Sequence, residues 1–207
     1  MTGRPHNEKV VGALVGTLLA TVMAFGCAGT GAAPSAGEFE GFIPDLRGVR
    51  VMVFPVQLRS GVAGDPDPEI TYALRTRSTE VLWIFSNELE AILARSPSVD
   101  SAVRGLPVGV FLSAEVRRVG DPLYGQLRRL GALTNSDIAL IPVAIGAGEL
   151  GMDGTSVVEI AATIVNVRTG QVIWFGVVEG RPGSVSDFGV VASAVEELAE
   201  TLLWYIR

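Results

Sequence analysis

The sequence predicts an α/β domain, with a mixed β-sheet packed by helices in a two- or three-layer sandwich and a C-terminal β-hairpin followed by a helix. Three observations carry that expectation. Strand-like and helix-like patterns alternate from residue 49 onward. Two long β-branched runs, 157–167 and 171–179, flank the turn Arg168-Thr169-Gly170 and read as a hairpin. The last twenty or so residues carry Val191, Ala194, Val195, Leu198, Leu202 and Ile206 at three- and four-residue spacing, the stripe of an amphipathic helix.

The elements follow in order. Residues 49–56 (VRVMVFPV) alternate, turn solidly apolar and end at a proline, as a buried first strand does. Residues 61–68 form a loop, after which Asp67 is expected to cap a helix with Pro68 at its first position and Ile70, Ala73 and Leu74 inward. Residues 81–85 (VLWIF) read as the second strand. Ser86 is expected to cap the next helix, which buries Leu89, Ile92 and Leu93 and stops at Ser96-Pro97. In 98–120, the runs 108–111 and 114–119 read as extended. Asp121-Pro122 repeats the cap-plus-proline pattern and opens a helix to about residue 133 with Leu123, Leu127 and Leu130 inward. Residues 137–145 are a third apolar strand, the hairpin follows, and Ser186 or Asp187 caps the final helix.

The N-terminus has a different character. Arg4 and Lys9 precede a 16-residue apolar or small-residue run from Val10 to Phe25, then Gly26-Cys27. A basic start, an apolar middle and a small residue at the end form a secretory signal. The run is short of the roughly 20 apolar residues of a permanent span. Cys27 directly after Gly26, with Ala24 three positions before it, resembles the lipobox of bacterial lipoproteins. That resemblance implies cleavage between Gly26 and Cys27 and acylation of Cys27 on sulfur and amine, with Ala28 favouring the outer membrane. The expected organisation is therefore a lipoprotein signal peptide at 1–26, a lipidated cysteine and Gly/Ala/Ser/Pro-rich tether at 27–46, and one globular domain at 47–207. A plain signal peptide or an uncleaved anchor with an incidental cysteine is the competing reading.

Composition excludes much chemistry. Of 207 residues, 48% are hydrophobic and 18% charged, and the net charge is −6, so there is no basic footprint for nucleic acid. Without residues 1–26 the charge becomes −7, from 14 cations and 21 anions. His6, Lys9 and Cys27 are the sole residues of their types. The rest of the chain thus lacks the usual general base, the Schiff-base amine and the soft metal ligands. No cofactor and no metal are expected, and no catalytic residue is assigned. Gly146-Ala-Gly148-Glu-Leu-Gly151 spells a dinucleotide fingerprint, but a strand rather than a helix N-terminus follows it, so it reads as a loop between strands. Asp65, Asp67 and Glu69 alternate with prolines and read as turn and cap chemistry. The neighbouring carboxylates Glu88/Glu90 and Glu196/Glu197 read as solvated helix faces.

Arg117, Arg118, Arg128 and Arg129 are the one basic concentration and the candidate partner-binding residues, with Arg104 nearby in sequence. Trp83, Trp174 and Trp204 fall inside strand or helix patterns and are expected in the core.

The order of the pieces has a familiar look. A tether leads to a valine-rich strand ending at Phe54-Pro55, then come Arg129-Leu-Gly-Ala132, Asp137-Ile-Ala-Leu-Ile-Pro142, and Ile164-Val-Asn-Val-Arg-Thr-Gly-Gln-Val-Ile-Trp174 before a last helix. This resembles the small α/β domain of periplasmic lipoproteins of the LpoB, CsgG and TolB-N-terminal kind, over about residues 49–206. The resemblance implies binding and scaffolding in the cell envelope, with no catalytic residues to carry over. The expected function is a membrane-anchored envelope lipoprotein, at the periplasmic face of the outer membrane, acting as a non-catalytic binding module for another envelope protein. A carboxylate-dependent envelope enzyme and a purely structural lipoprotein are the alternatives. An exposed apolar patch or an unpaired sheet edge is the mark of the binding module.

Overall fold

The computed structural model describes residues 41–148, 155–184 and 187–205. Cys27, Gly26, Ser186 and Ile206 lie outside them, as do residues 149–151 of the glycine-rich stretch. The elements are β1 (Arg50–Val53), β2 (Leu58–Ser60), α1 (Asp67–Arg77), β3 (Leu82–Ile84), α2 (Ser86–Ala94), α3 (Val110–Ser113), α4 (Leu123–Thr134), β4 (Ile138–Ala147), β5 (Val158–Asn166), β6 (Val172–Glu179) and α5 (Phe188–Leu202). Among the described residues no helix is long and apolar enough to cross a membrane.

The strands form one mixed sheet in the order β3-β1-β4-β5-β6. β1 pairs in parallel with β3 and β4, whereas β4–β5 and β5–β6 are antiparallel. From β1 the chain moves outward to β3 through α1, then back past β1 to β4 through α2, α3 and α4. Right-handed crossovers running in opposite directions put their helices on opposite faces. The result is three layers. On one face α1 and α5 bury Ile70, Leu74, Val191, Val195 and Leu198 against Val51, Val53, Leu140, Ile160 and Ile164. On the other, Leu89, Phe111, Leu123, Leu127 and Leu130 cover Met52, Phe54, Ala139, Ile141 and Val165. The strand side chains that enter the two cores alternate along the chain, as the pleat requires.

β4 is apolar throughout because both of its faces are covered. It carries Pro142 at an irregularity between Pro142 and Ala144, where the register with β5 shifts. β1 ends opposite Leu140, and the three-residue β2 resumes parallel pairing at Leu58↔Ala144. The sequence gives no periodic signal for so short a strand.

Several expectations are corrected. Asp67 does not cap α1: Pro66 occupies the N-cap with no side-chain bond. The Asp67 carboxylate instead accepts from the Val56 amide (2.8 Å), Arg59 (2.9 Å) and Arg104 (3.1 Å). Its geometry favours a buried clasp between the β1–β2 link and the helix over a local turn. Ser86 likewise makes no cap bond, since Phe85 is the N-cap of α2. The run 108–111, read as extended, instead leads into α3 (Val110–Ser113), whose Phe111 stacks on Phe175 at 5.9 Å. The tether boundary at 46 is too late, because Ile43 and Leu46 are core residues. Tyr205 and Trp204 hold that stretch, the Tyr205 hydroxyl accepting from the Leu46 amide and the Trp204 indole donating to the Ile43 carbonyl. Asp187 does cap α5, through the Gly189 amide at 2.9 Å.

Candidate peptide-binding groove

A small-molecule site is expected in such a sheet outside the carboxyl ends of the parallel strands, where the strand order reverses. Here that place is filled. Val53, Phe54, Pro55, Asp67, Ile70 and Phe85 close around a space of about 170 Å³ that does not admit a water-sized sphere. Asp67 at its edge is bonded by two arginines and a backbone amide, and Gln57 is tied to Pro55, Val103 and Leu106.

The open space lies at the other side of the sheet, along β6. The groove measures about 750 Å³. Its floor is the free side of β6 from Trp174 to Glu179, one wall is Glu197, Thr201 and Trp204 of α5 and its C-terminal end, and the other is the chain at 41–43. Glu197, Thr201 and Trp204 stand four and three residues apart, so they form one stripe of the last helix and its extension. Its neighbouring stripe (Ala194, Val195, Leu198, Leu202) is buried on the sheet. The groove is therefore the overhang left where α5 crosses the last strand.

β6 ends the sheet order. The Gly180 amide bonds to the Val158 carbonyl at 2.9 Å, and Val178 and Gly176 lie opposite Ile160 and Ala162. In an antiparallel ladder this makes Gly176 and Val178 the residues that exchange bonds with β5. The N–H and C=O of Phe175, Val177 and Glu179 consequently point away from it. Among the described residues the start of the edge is covered. The Val172 amide bonds to Arg117 and the Val119 amide to Gly170, while Gly41 abuts the Ile173 carbonyl. From Phe175 to Glu179 no described segment pairs with it. The strand reads VIWFGVVE, with no proline or lysine to blunt the edge.

The groove has an aromatic end, where Phe42 is 71% exposed and Trp204 49% exposed, in a T-shaped contact at 5.9 Å. Trp204 thus departs from the expected core role, because its ring faces the groove rim. Trp174 does lie in the core, and Trp83 is half-buried against it. Glu197 of α5 also lines the groove, as does Glu179, whose side chain the pleat directs to the opposite face of the sheet, that of Phe175; neither is in an ion pair among the described residues. Glu179 also faces Glu159 across the β5–β6 ladder. The Glu159 carboxyl is pushed above its ordinary value, first by burial and then by the Glu179 charge.

The arginines singled out in the sequence do not line this groove. Arg118 forms a bridge opposite Gln171, and its guanidinium donates to the Thr169 carbonyl, while Arg117 pairs with Glu115. Both hold the segment before α4 against the hairpin turn. Tyr124 of α4 reaches the same turn by donating to the Arg168 carbonyl, and Arg128 and Arg129 lie farther along α4, exposed. Of the paired carboxylates, Glu196 is bonded to Arg77 and Glu90 to Arg104, and Glu197 alone enters the groove. Among the described residues no group of three or more His, Cys, Asp or Glu side chains could hold a metal. Gly146 lies within β4 and the Gly148 amide bonds to the Val157 carbonyl, while the rest of the glycine-rich stretch is outside the described residues.

No family model and no curated protein matches the chain. Solved structures do. The PelC dodecamer from Paraburkholderia phytofirmans is 14% identical, covering 79% of this chain and 95% of that one with a TM-score of 0.40. Lipoprotein GNA1162 from Neisseria meningitidis is 16% identical, with coverages of 74% and 97% and a TM-score of 0.44. The C-terminal domain of LpoB from Escherichia coli is 14% identical, with coverages of 66% and 85% and a TM-score of 0.40. LpoB, the domain that the hairpin phrase resembles, is thus among the structures to which this chain is similar. Likenesses this distant pass no residue role and no partner to it.

Proposed function

We propose that this chain is a membrane-anchored cell-envelope lipoprotein whose domain binds another envelope protein by accepting an extended segment along β6. The observation that carries the reading is the groove of about 750 Å³ beside the unpaired stretch 175–179 of the sheet edge. Main-chain groups there offer a strand-like partner its hydrogen bonds, and the α5 overhang offers its side chains a wall. Nothing in this mode of action requires a reacting group. The carboxyl shifted upward, Glu159, is not among the groove's lining residues.

Cys27 after its apolar run supports the anchor, at the periplasmic face of the outer membrane. The globular domain begins no later than residue 41, so at most about 14 residues separate it from Cys27. Fully extended these reach about 50 Å. Confining the groove to such a layer raises its effective concentration toward a partner in the same layer.

The test is a photo-crosslinker at Thr201, in the groove wall, in protein kept in its native membrane. The reading expects an adduct that is absent with the crosslinker at Glu88 and lost on adding Val177→Pro, on a chain whose mass starts at triacylated Cys27. An adduct indifferent to Val177→Pro would overturn the groove. A chain retaining Met1 would overturn the anchor.

A further inference from the structure

We propose that Phe42 and Trp204 form a lipid-contacting surface, which seats the domain, where the tether enters it, on the zwitterionic surface of the membrane that holds the N-terminus. This rests on the anchor of the proposed function. It goes beyond the groove, because it needs neither the free edge of β6 nor a partner protein.

The two rings are exposed together and held in place. Phe42 is 71% and Trp204 49% exposed, and they meet edge to face at 5.9 Å. Single exposed apolar side chains such as Tyr72 and Leu58 are ordinary on a surface, whereas two large exposed rings in contact make a patch. The Trp204 indole donates to the Ile43 carbonyl at 3.2 Å, and the Tyr205 ring packs edge-on against Trp204 at 5.7 Å. The Tyr205 hydroxyl accepts from the Leu46 amide at 3.0 Å, and Arg47, paired with Asp45, lies 5.3 Å over the Tyr205 ring. Rings already fixed lose little freedom on being covered. Aromatic side chains with a polar N–H or O–H favour the boundary between lipid chains and water.

Position and area select the occupant. Phe42 is the second described residue of the domain and stands 15 positions after Cys27 and 17 after Phe25. Whether acyl groups on Cys27 or an uncleaved run ending at Phe25 holds the chain, the bilayer is within about 60 Å along an extended tether. A tether this short keeps the pair at a high effective concentration toward the lipid. Two rings fall far short of the roughly 800 Å² per partner of a stable protein interface, but they suffice to orient a domain already confined to the bilayer. The net charge of −6 gives anionic lipid nothing to attract, so burial of the rings in a zwitterionic surface makes the contact.

The experiment takes the chain as purified from its membrane, reconstituted in phosphatidylcholine vesicles with or without bromine on the acyl chains near the headgroup, and reads tryptophan emission. Trp174 is buried and Trp83 lies on β3 at the opposite edge of the sheet, so Trp204 is the tryptophan placed to report. Brominated lipid should quench up to about a third of the emission, the share of one tryptophan in three, and do so equally in about 1 M salt. Trp204→Phe should abolish the quenching. Phe42→Ser should reduce it about twofold with the circular dichroism unchanged, since that ring is mostly exposed. A parent that sediments with the vesicles and is not quenched overturns the lipid contact and leaves the anchor standing. Quenching that persists in Trp204→Phe, or is untouched by Phe42→Ser, overturns the assignment to this pair. Quenching lost in high salt overturns ring burial as its cause. Chains that stay in solution overturn the anchor and the contact together.

Discussion

Gly176 lies directly under the indole of Trp174: a Cβ at 176 would come within 2.5 Å of Trp174 Cζ2. Trp174 is only 5% exposed and belongs to the core under α5, so its ring has little freedom to move aside. The glycine lets a large ring fold along its own strand and form the groove floor. Glycine inside a strand often marks such a close approach. Gly176→Ala should therefore destabilise the domain by about 1–3 kcal/mol, as overpacking does. Chemical denaturation with tryptophan fluorescence checks this. A variant as stable as the parent would show that the ring is not held.

Neighbouring positions on β6 should respond oppositely to proline. The Val177 amide points out of the sheet, so Val177→Pro removes a free donor and should lower the unfolding free energy by no more than about 1 kcal/mol. Val178 is 7% exposed and bonded to β5, so Val178→Pro should cost about 3 kcal/mol or more. Thermal melts of the pair decide it. Equal losses would mean that the edge is not where the ladder places it.

Asp67 separates two sources of stability. Its carboxylate satisfies the Val56 amide and meets Arg59 and Arg104, whose side chains are 33% and 54% exposed. Water screens the ion pairs, and the buried amide bond is not screened. Asp67→Ala should lose about 2 kcal/mol, an amount typical of a buried donor left unpaired. Asp67→Asn, which keeps an oxygen for Val56, should recover more than half of it. If Asn is as costly as Ala in urea titrations, the arginines carry the stability instead.

Glu159 gives a pH dependence with a definite sign. Burial and Glu179 raise its folded-state pKa, so the folded chain holds this proton where the unfolded chain has released it. Stability then falls as pH rises from the ordinary value of 4.5 through the raised one, and is flat above. Glu159→Gln removes the penalty. It should stabilise the domain at pH 7 by a few tenths of a kcal/mol, given partial exposure and a facing like charge. At pH 3, where both side chains are neutral, the two proteins should melt together. A gain that persists at pH 3 would point to packing rather than charge.

The hairpin 158–179 was legible because two β-branched runs sit around Arg168-Thr169-Gly170, and Gly170 takes the positive φ of 72° that such a turn asks of it. α5 was legible from its stripe, because burial on one face of a helix repeats along the chain. Asp67 misled because a Pro-Asp-Pro before an apolar run has the local pattern of a cap, while its true partners are 11 and 37 residues away. Residues 110–113 were too short for a period to show. The groove left weak traces in the sequence: a glycine within a strand pattern, an edge-length run without lysine or proline, and aromatics at 42 and 204 outside the apolar stripe of the last helix.

The sequence by itself determined the order of the longer elements, the apolar character of the strand 137–145, and the lack of histidine, lysine and cysteine beyond residue 27. These are properties of each segment's own composition and period. Tertiary structure alone decided that β4 inserts between β1 and β5, which makes β6 an edge, and that α5 overhangs it beside residues 41–43. Periodicity records whether a side chain is covered and not what covers it. Which strand lacks a neighbour is set by chain crossings over many residues, and so appears only when the sheet is assembled.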